Sequence, residues 1–130
     1  MRAVRAASEE QLVSLALPRL QRLLEQGVTT AEVKSGYGLE PEAELRMLRA
    51  VRTLGQRQAI ALMPTFLWPH ALPPEWRHDR AGFLAQGRAV LRTVAAEKLA
   101  RFADAFVDRG RSPPTRSVRC SRRRSASGSV

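Results

Sequence analysis

Residues Val28-Thr29-Thr30-Ala31-Glu32-Val33-Lys34-Ser35-Gly36-Tyr37-Gly38-Leu39 pack three structural instructions into one stretch. The β-branched Val28, Thr29, Thr30 and Val33 follow Gly27 and favour a short strand. Gly36 and Gly38 then bracket the only tyrosine, so the backbone can turn tightly on either side and push the ring out of its path. A helix is expected directly afterwards, because Pro41 suits a first helical position and Glu42 and Glu44 complement the dipole of the first turn. Strand, glycine loop and helix in succession indicate a parallel α/β protein. In such folds the side chains just past the carboxyl end of a strand are where ligands are met. Tyr37 is the residue so placed.

The flanking sequence repeats the pattern. Ser8 followed by Gln11 is a capping box, and the helix it opens is expected to run to about Gln26. Leu12, Leu15, Ala16, Leu20, Leu23 and Leu24 give that helix an apolar face, Pro18 is expected to kink or interrupt it, and Gly27 to cap it. Arg2–Ala7 specifies no element. The next helix is expected over Pro41–Leu54, closed by Gly55, with Leu45, Leu48, Ala50 and Val51 inward and Arg46, Arg49 and Arg52 in water. Ala59–Leu67 is nearly all apolar and predicts a strand buried on both faces, with a bulge or early end at Pro64. A proline-stiffened loop, Trp68 to Arg77, carries His70. A third helix is expected over Asp79–Ala100, with Gly82 and Gly87 as weak points, and a third strand over Ala103–Val107. The order α-β-α-β-α-β with short connections argues for crossover units in a parallel sheet or barrel. Three strands cannot close a barrel of the usual ~250 residues, so the 130-residue chain is expected to be part of something larger.

Charge divides the chain in two. The net charge is +10, but Arg109–Val130 holds seven arginines and no acid. Without that segment fifteen basic residues meet twelve acidic ones, an ordinary balance. Residues 1–108 are therefore expected to form the α/β part, and 109–130 a disordered basic tail rich in Arg, Ser and Pro. One cysteine, Cys120, allows no internal disulfide, and the two histidines are His70 and His78. His78 has no partner at metal-ligand spacing. No apolar run approaches the ~18 residues of a membrane span, and no signal peptide is evident, so a cytoplasmic location is expected.

With Tyr37 and His70 in view, the sequence resembles the imidazolonepropionases, metal-dependent amidohydrolases of histidine degradation. The resemblance covers about residues 2–108. It is carried by Val28–Leu39, by Glu44-Leu45-Arg46-Met47-Leu48-Arg49, by Thr65-Phe66-Leu67 and by His70-Ala71-Leu72-Pro73-Pro74-Glu75, with Arg5-Ala6-Ala7-Ser8 in support. Trp68 and Pro69 depart from it, standing where that family usually has small residues, as does Trp76, where it usually has tyrosine. The resemblance implies a fold of class α/β, here a partial (β/α)8 (TIM-type) barrel of about three consecutive parallel strands with their helices. It implies a hydrolase that opens 4-imidazolone-5-propanoate to N-formimidoyl-L-glutamate, with a zinc or iron ion activating water, in a homo-oligomer. Tyr37 and His70 match that family's substrate contacts. Its metal ligands (an upstream His-x-His pair, a later histidine and an aspartate) match no residue here, so neither metal ligand nor catalytic residue is assigned. This chain alone is expected to be inactive.

Two features bear on rival readings. With codons ending in G or C, Pro114–Arg124 read from the last base of the Pro114 codon gives Asp-Glu-Val-Arg-Ala-Val-Leu-Ala-Ala-Ala, an amphipathic helix start. The tail is therefore expected to be a frameshift product. The alternative is a small basic nucleic-acid-binding protein acting through Arg122-Arg123-Arg124, although no aromatic residue interleaves that run. Lys34 and Glu32 are expected to pair at the strand end rather than to act in catalysis, and Trp68 and Trp76 to pack. If the tail binds phosphates, binding falls steeply with salt, and deleting 109–130 abolishes it while leaving the core folded. A filter-binding series in rising salt on both chains checks this.

Overall fold

The computed structural model describes residues 1–106. The tail expected to be disordered lies outside them, as does Val107 at the end of the expected third strand. A short helix, α1 (Arg2–Ala6), precedes α2 (Glu9–Glu25), β1 (Thr30–Lys34), α3 (Pro41–Arg57) and β2 (Ala61–Leu67). A 3-10 turn (Pro74–Trp76), α4 (Arg80–Ala96) and β3 (Phe102–Asp104) complete the order. The strands form one sheet in the order β1-β2-β3, parallel throughout. Thr30 pairs with Ala61, Lys34 with Thr65, Thr65 with Phe102 and Leu67 with Asp104.

The helices cover one face of this sheet. Val13 and Leu20 of α2 pack with Ala50 and Leu54 of α3 and Ile60, against Ala31 and Leu62 of the sheet. Leu45 and Leu48 of α3 join Phe83, Val90 and Val94 of α4 around Phe66 and Trp68. Burial of such side chains stabilises the fold by roughly 1.5–3 kcal/mol each. The opposite face, with Glu32, Lys34, Met63, Thr65, Phe102 and Asp104 in register, carries no helix among the described residues. β2 is therefore buried on both faces only near its carboxyl end, at Thr65 and Phe66, and not along its length as its composition suggested. Ala61 is exposed and Met63 only half-buried.

Neither proline interrupts its element. Pro18 lies exposed inside a continuous α2. Pro64 sits inside β2, where its carbonyl accepts the Arg101 N–H at 2.8 Å, so its nitrogen side faces β3. β3 begins only at Phe102, opposite Thr65. The missing donor therefore falls before the ladder starts, and no ladder bond is lost.

Helix ends explain most shifted boundaries. The Ser8 capping box is present in both directions: Ser8 Oγ accepts from Gln11 N at 3.2 Å, and Gln11 Oε1 from Ser8 N at 2.8 Å. Gly27, at φ 85°, lets Val28 N–H reach Leu23 O. α4 ends in the same motif with Lys98 at φ 53°, so Leu99 N–H reaches Val94 O and the helix stops short of Ala100. α3 runs past Gly55, whose backbone stays out of the left-handed region, to Arg57. Arg2–Ala6, without a clear signal, is helical. Among the described residues no helix is long and apolar enough to cross a membrane.

Ion pairs tie the layers at their margins. Arg49 of α3 grips Glu97, just past α4, through both carboxylate oxygens at 2.8–3.2 Å, so this arginine is not simply solvated. On the helix-free face Lys34 Nζ lies 2.7 Å from Asp104 and 3.8 Å from Glu32. The expected pairing with Glu32 thus exists, with Asp104 the closer partner. The Arg49 hydrogen bond holds the Glu97 carboxyl below its ordinary value, and the Lys34 hydrogen bond does the same for Asp104. Carboxyls depressed on folding contribute stability above their unfolded pKa and lose it as pH falls through the folded one. The thermal midpoint is therefore expected to drop on acidification below about pH 4, with a shallower drop in Glu97→Gln. Melting curves from pH 7 to 3 check this; equal slopes would contradict it.

Candidate functional site

Tyr37 and His70 leave the same end of neighbouring parallel strands. β1 ends at Lys34 and β2 at Leu67, and two bonds stitch the strand ends together: Ser35 N–H to Thr65 O at 2.9 Å, and Leu67 N–H to Ser35 Oγ at 3.2 Å. The loops then run side by side. A Cβ built on Gly36 would lie 2.9 Å from His70 Cε1 and 3.1 Å from Nδ1 and would clash with Leu67 O, so the imidazole rests directly on the Gly36 backbone. Gly36 also stands at φ 104°, which only glycine adopts readily. Both constraints require a glycine immediately before Tyr37.

The glycine loop is folded around one carboxylate. Glu44 of α3 has no exposed surface. Its Oε2 accepts the Gly36 N–H at 2.6 Å, and its Oε1 accepts those of Gly38 at 2.9 Å and Leu39 at 2.8 Å. Leu39 is held at φ 52°, a left-handed conformation costing roughly 1–2 kcal/mol for a residue with a side chain. Its N–H bond to Glu44 and its buried side chain offset that cost. Read from sequence, Glu44 was only an acid favouring the first helical turn. The available signal was its place five to eight residues behind a loop with several backbone N–H groups and no strand to receive them.

Held at its flanks, Tyr37 projects outward with 61% of its surface exposed. Its hydroxyl makes no hydrogen bond among the described residues, so it is free to bond a ligand. His70 is half-buried; its backbone N–H donates to Trp68 O at 3.0 Å, and its ring Nδ1 is buried without a partner among the described residues. Trp68 anchors this turn from inside: it is 1% exposed, stacks on Phe83 at 4.9 Å, and donates from Nε1 to Phe83 O at 3.0 Å. A cleft of about 280 Å³ opens beside His70, lined also by Pro69, Leu72, Arg80 and Phe83. Tyr37 does not line it. A larger open groove along α1 and α2, about 590 Å³, holds neither residue. His78 is exposed.

Among the described residues no group of three or more His, Cys, Asp and Glu side chains is placed to hold a metal ion. These residues do not fit a metal centre.

The Glu44 arrangement has a measurable consequence. Glu44→Gln keeps the shape but turns an NH2 group toward donors, leaving a buried N–H unsatisfied at a cost of about 2 kcal/mol. The expected outcome is a lower urea midpoint with an unchanged m-value; an unchanged midpoint would contradict it.

No family model matches the chain. Curated relatives do. An imidazolonepropionase of Myxococcus xanthus is 58% identical over 109 residues, which is 83% of this chain and 26% of that protein. One of Bacillus velezensis is 46% identical over 106 residues, 82% of this chain and 25% of the relative. One of an Anaeromyxobacter species is 50% identical over 116 residues, 87% and 27% of the two chains. This chain thus spans about a quarter of the length of the relatives it matches, and these names are those of an enzyme rather than a nucleic-acid binder. With identity near one half across most of its residues, the chain belongs to the imidazolonepropionase family.

Proposed function

We propose that the chain is one section of the wall of an imidazolonepropionase barrel, in which Tyr37 and His70 contact the substrate. The observation that carries this reading is the juxtaposition of the two loops at one end of paired parallel strands, with the His70 ring against Gly36. Consecutive strand order with helices on one face supports a singly wound barrel, since doubly wound sheets are covered on both. Glu32, Lys34, Thr65 and Asp104 would then face the barrel interior.

The reaction proposed for the whole assembly is hydrolysis of 4-imidazolone-5-propanoate to N-formimidoyl-L-glutamate. The Tyr37 hydroxyl can donate to the propanoate carboxylate or bond the ring amide. The His70 imidazole, fixed by its turn and by Gly36, can donate to the ring carbonyl, where negative charge grows as water adds. A zinc or iron ion, when bound, supplies an activated water; its ligands would come from outside the described residues. Cytoplasmic location and homo-oligomeric assembly belong to the same proposal.

The chain alone is expected to consume no substrate, and co-expression with a polypeptide supplying the rest of a relative is expected to restore turnover. In that assembly Tyr37→Phe and His70→Ala should each lower kcat/KM about tenfold or more, the effect of one lost charged hydrogen bond. Unchanged kcat/KM in both variants would sink the reading.

A further inference from the structure

The loops that carry Tyr37 and His70 are joined by a side chain belonging to neither. Arg5 of α1 donates from Nε to Gly38 O at 2.8 Å and from Nη2 to Glu75 Oε1 at 2.6 Å. Its Nε also lies 3.7 Å from Glu40 Oε2. Gly38 directly follows Tyr37, and Glu75 ends the proline-rich run that begins at His70. Arg5 is itself held from behind, since Arg46 of α3 donates to the Arg5 carbonyl at 2.7 Å.

Hydrophobic packing alone does not explain why α1 sits here, because no side chain of the helix is fully buried and Val4 is its one half-buried apolar residue. The polar contacts of Arg5 add to its placement. They complement Glu44: the buried carboxylate takes N–H groups of the glycine loop, and the guanidinium takes the Gly38 carbonyl of the same loop. The Glu75 carboxyl is held below its ordinary value, first by a hydrogen bond from its own N–H and then by Arg5, in keeping with a formed pair. Two partners lying in different directions suit a planar guanidinium; an ammonium presents a single point charge.

We propose that Arg5 is a positioning residue for the substrate loops. It fixes the Gly36–Gly38 loop against the His70–Glu75 loop, so that Tyr37, exposed and with no side-chain hydrogen bond among the described residues, presents its hydroxyl at one place. The proposal rests on reading Tyr37 as a ligand contact.

The chain has one tyrosine, so 3-fluorotyrosine labels Tyr37 alone. Fluorine NMR and amide exchange would be compared in the full chain, Arg5→Met, Arg5→Lys and Arg57→Met. The last removes another exposed pair, Arg57 with Glu10 at 3.0 Å, as a control. In Arg5→Met the fluorine resonance is expected to move and sharpen, and the Gly38 and Leu39 amides to exchange about tenfold faster or more. Arg5→Lys should recover part of both changes, and Arg57→Met should leave both as in the parent. A resonance unmoved in Arg5→Met, or moved as far in Arg57→Met, overturns the proposal. If circular dichroism shows Arg5→Met unfolded, Glu75→Ala, which removes the acceptor of one contact, must shift the resonance in a chain that stays folded; no shift overturns it. These signals need no ligand. Normal turnover of Tyr37→Phe in the co-expressed assembly, beside a moved resonance in Arg5→Met, would defeat the ligand reading and leave the strut standing.

Discussion

A carboxylate with no access to water receives the loop N–H groups of Gly36, Gly38 and Leu39, and the rim of this protein depends on that arrangement. Buried backbone donors cost free energy when unpaired, and a tight glycine turn has no strand or helix to receive them. Glu44 receives them because α3 begins promptly at Pro41 and is pinned to the core by Leu45 and Leu48 one turn on. The conformation of the tyrosine loop is thus set by a helix placed after it in the chain. The parallel ladder then places the His70 loop alongside.

The alternation of elements was legible because its signals are local. Gly27, the Ser8–Gln11 box and Pro41 each act within a few residues, and the structure uses all three. What was not legible depends on distant partners. Lys98 takes the left-handed cap that glycine usually fills, with nothing around it in the chain to announce it. Pro64 is harmless because of where β3 starts, more than thirty residues later. The apolar run of β2 suggested cover on both faces, whereas the layers of described residues cover one. Arg46 and Arg49 read as solvated by period alone, yet both reach acceptors forty or more residues away.

Tyr37 and His70 were legible as strand-end residues and by likeness to a family. The groups that hold them were not. Glu44, Ser35 and Arg5 act through backbone atoms of other segments, and such contacts leave little trace in composition or periodicity. The helix-free sheet face adds a complementary point. Its Glu32, Thr65, Lys34 and Asp104 form a connected polar set, with Thr65 Oγ1 donating to Glu32 at 2.6 Å. An apolar face left uncovered would invite indiscriminate association, and this polar set lessens that tendency.

The close approach of Trp68 to α4 has a consequence for substitution. A Cβ on Gly87 would meet the indole Nε1 at 2.6 Å and Cγ at 2.8 Å, inside any tolerable separation. A side chain at 87 is therefore compatible only with a smaller residue at 68, and the large ring at 68 only with none at 87. The two positions, nineteen residues apart, are sterically coupled: with the indole in place, a side chain at 87 forces either the ring or the helix to move, whereas a smaller residue at 68 leaves room for one.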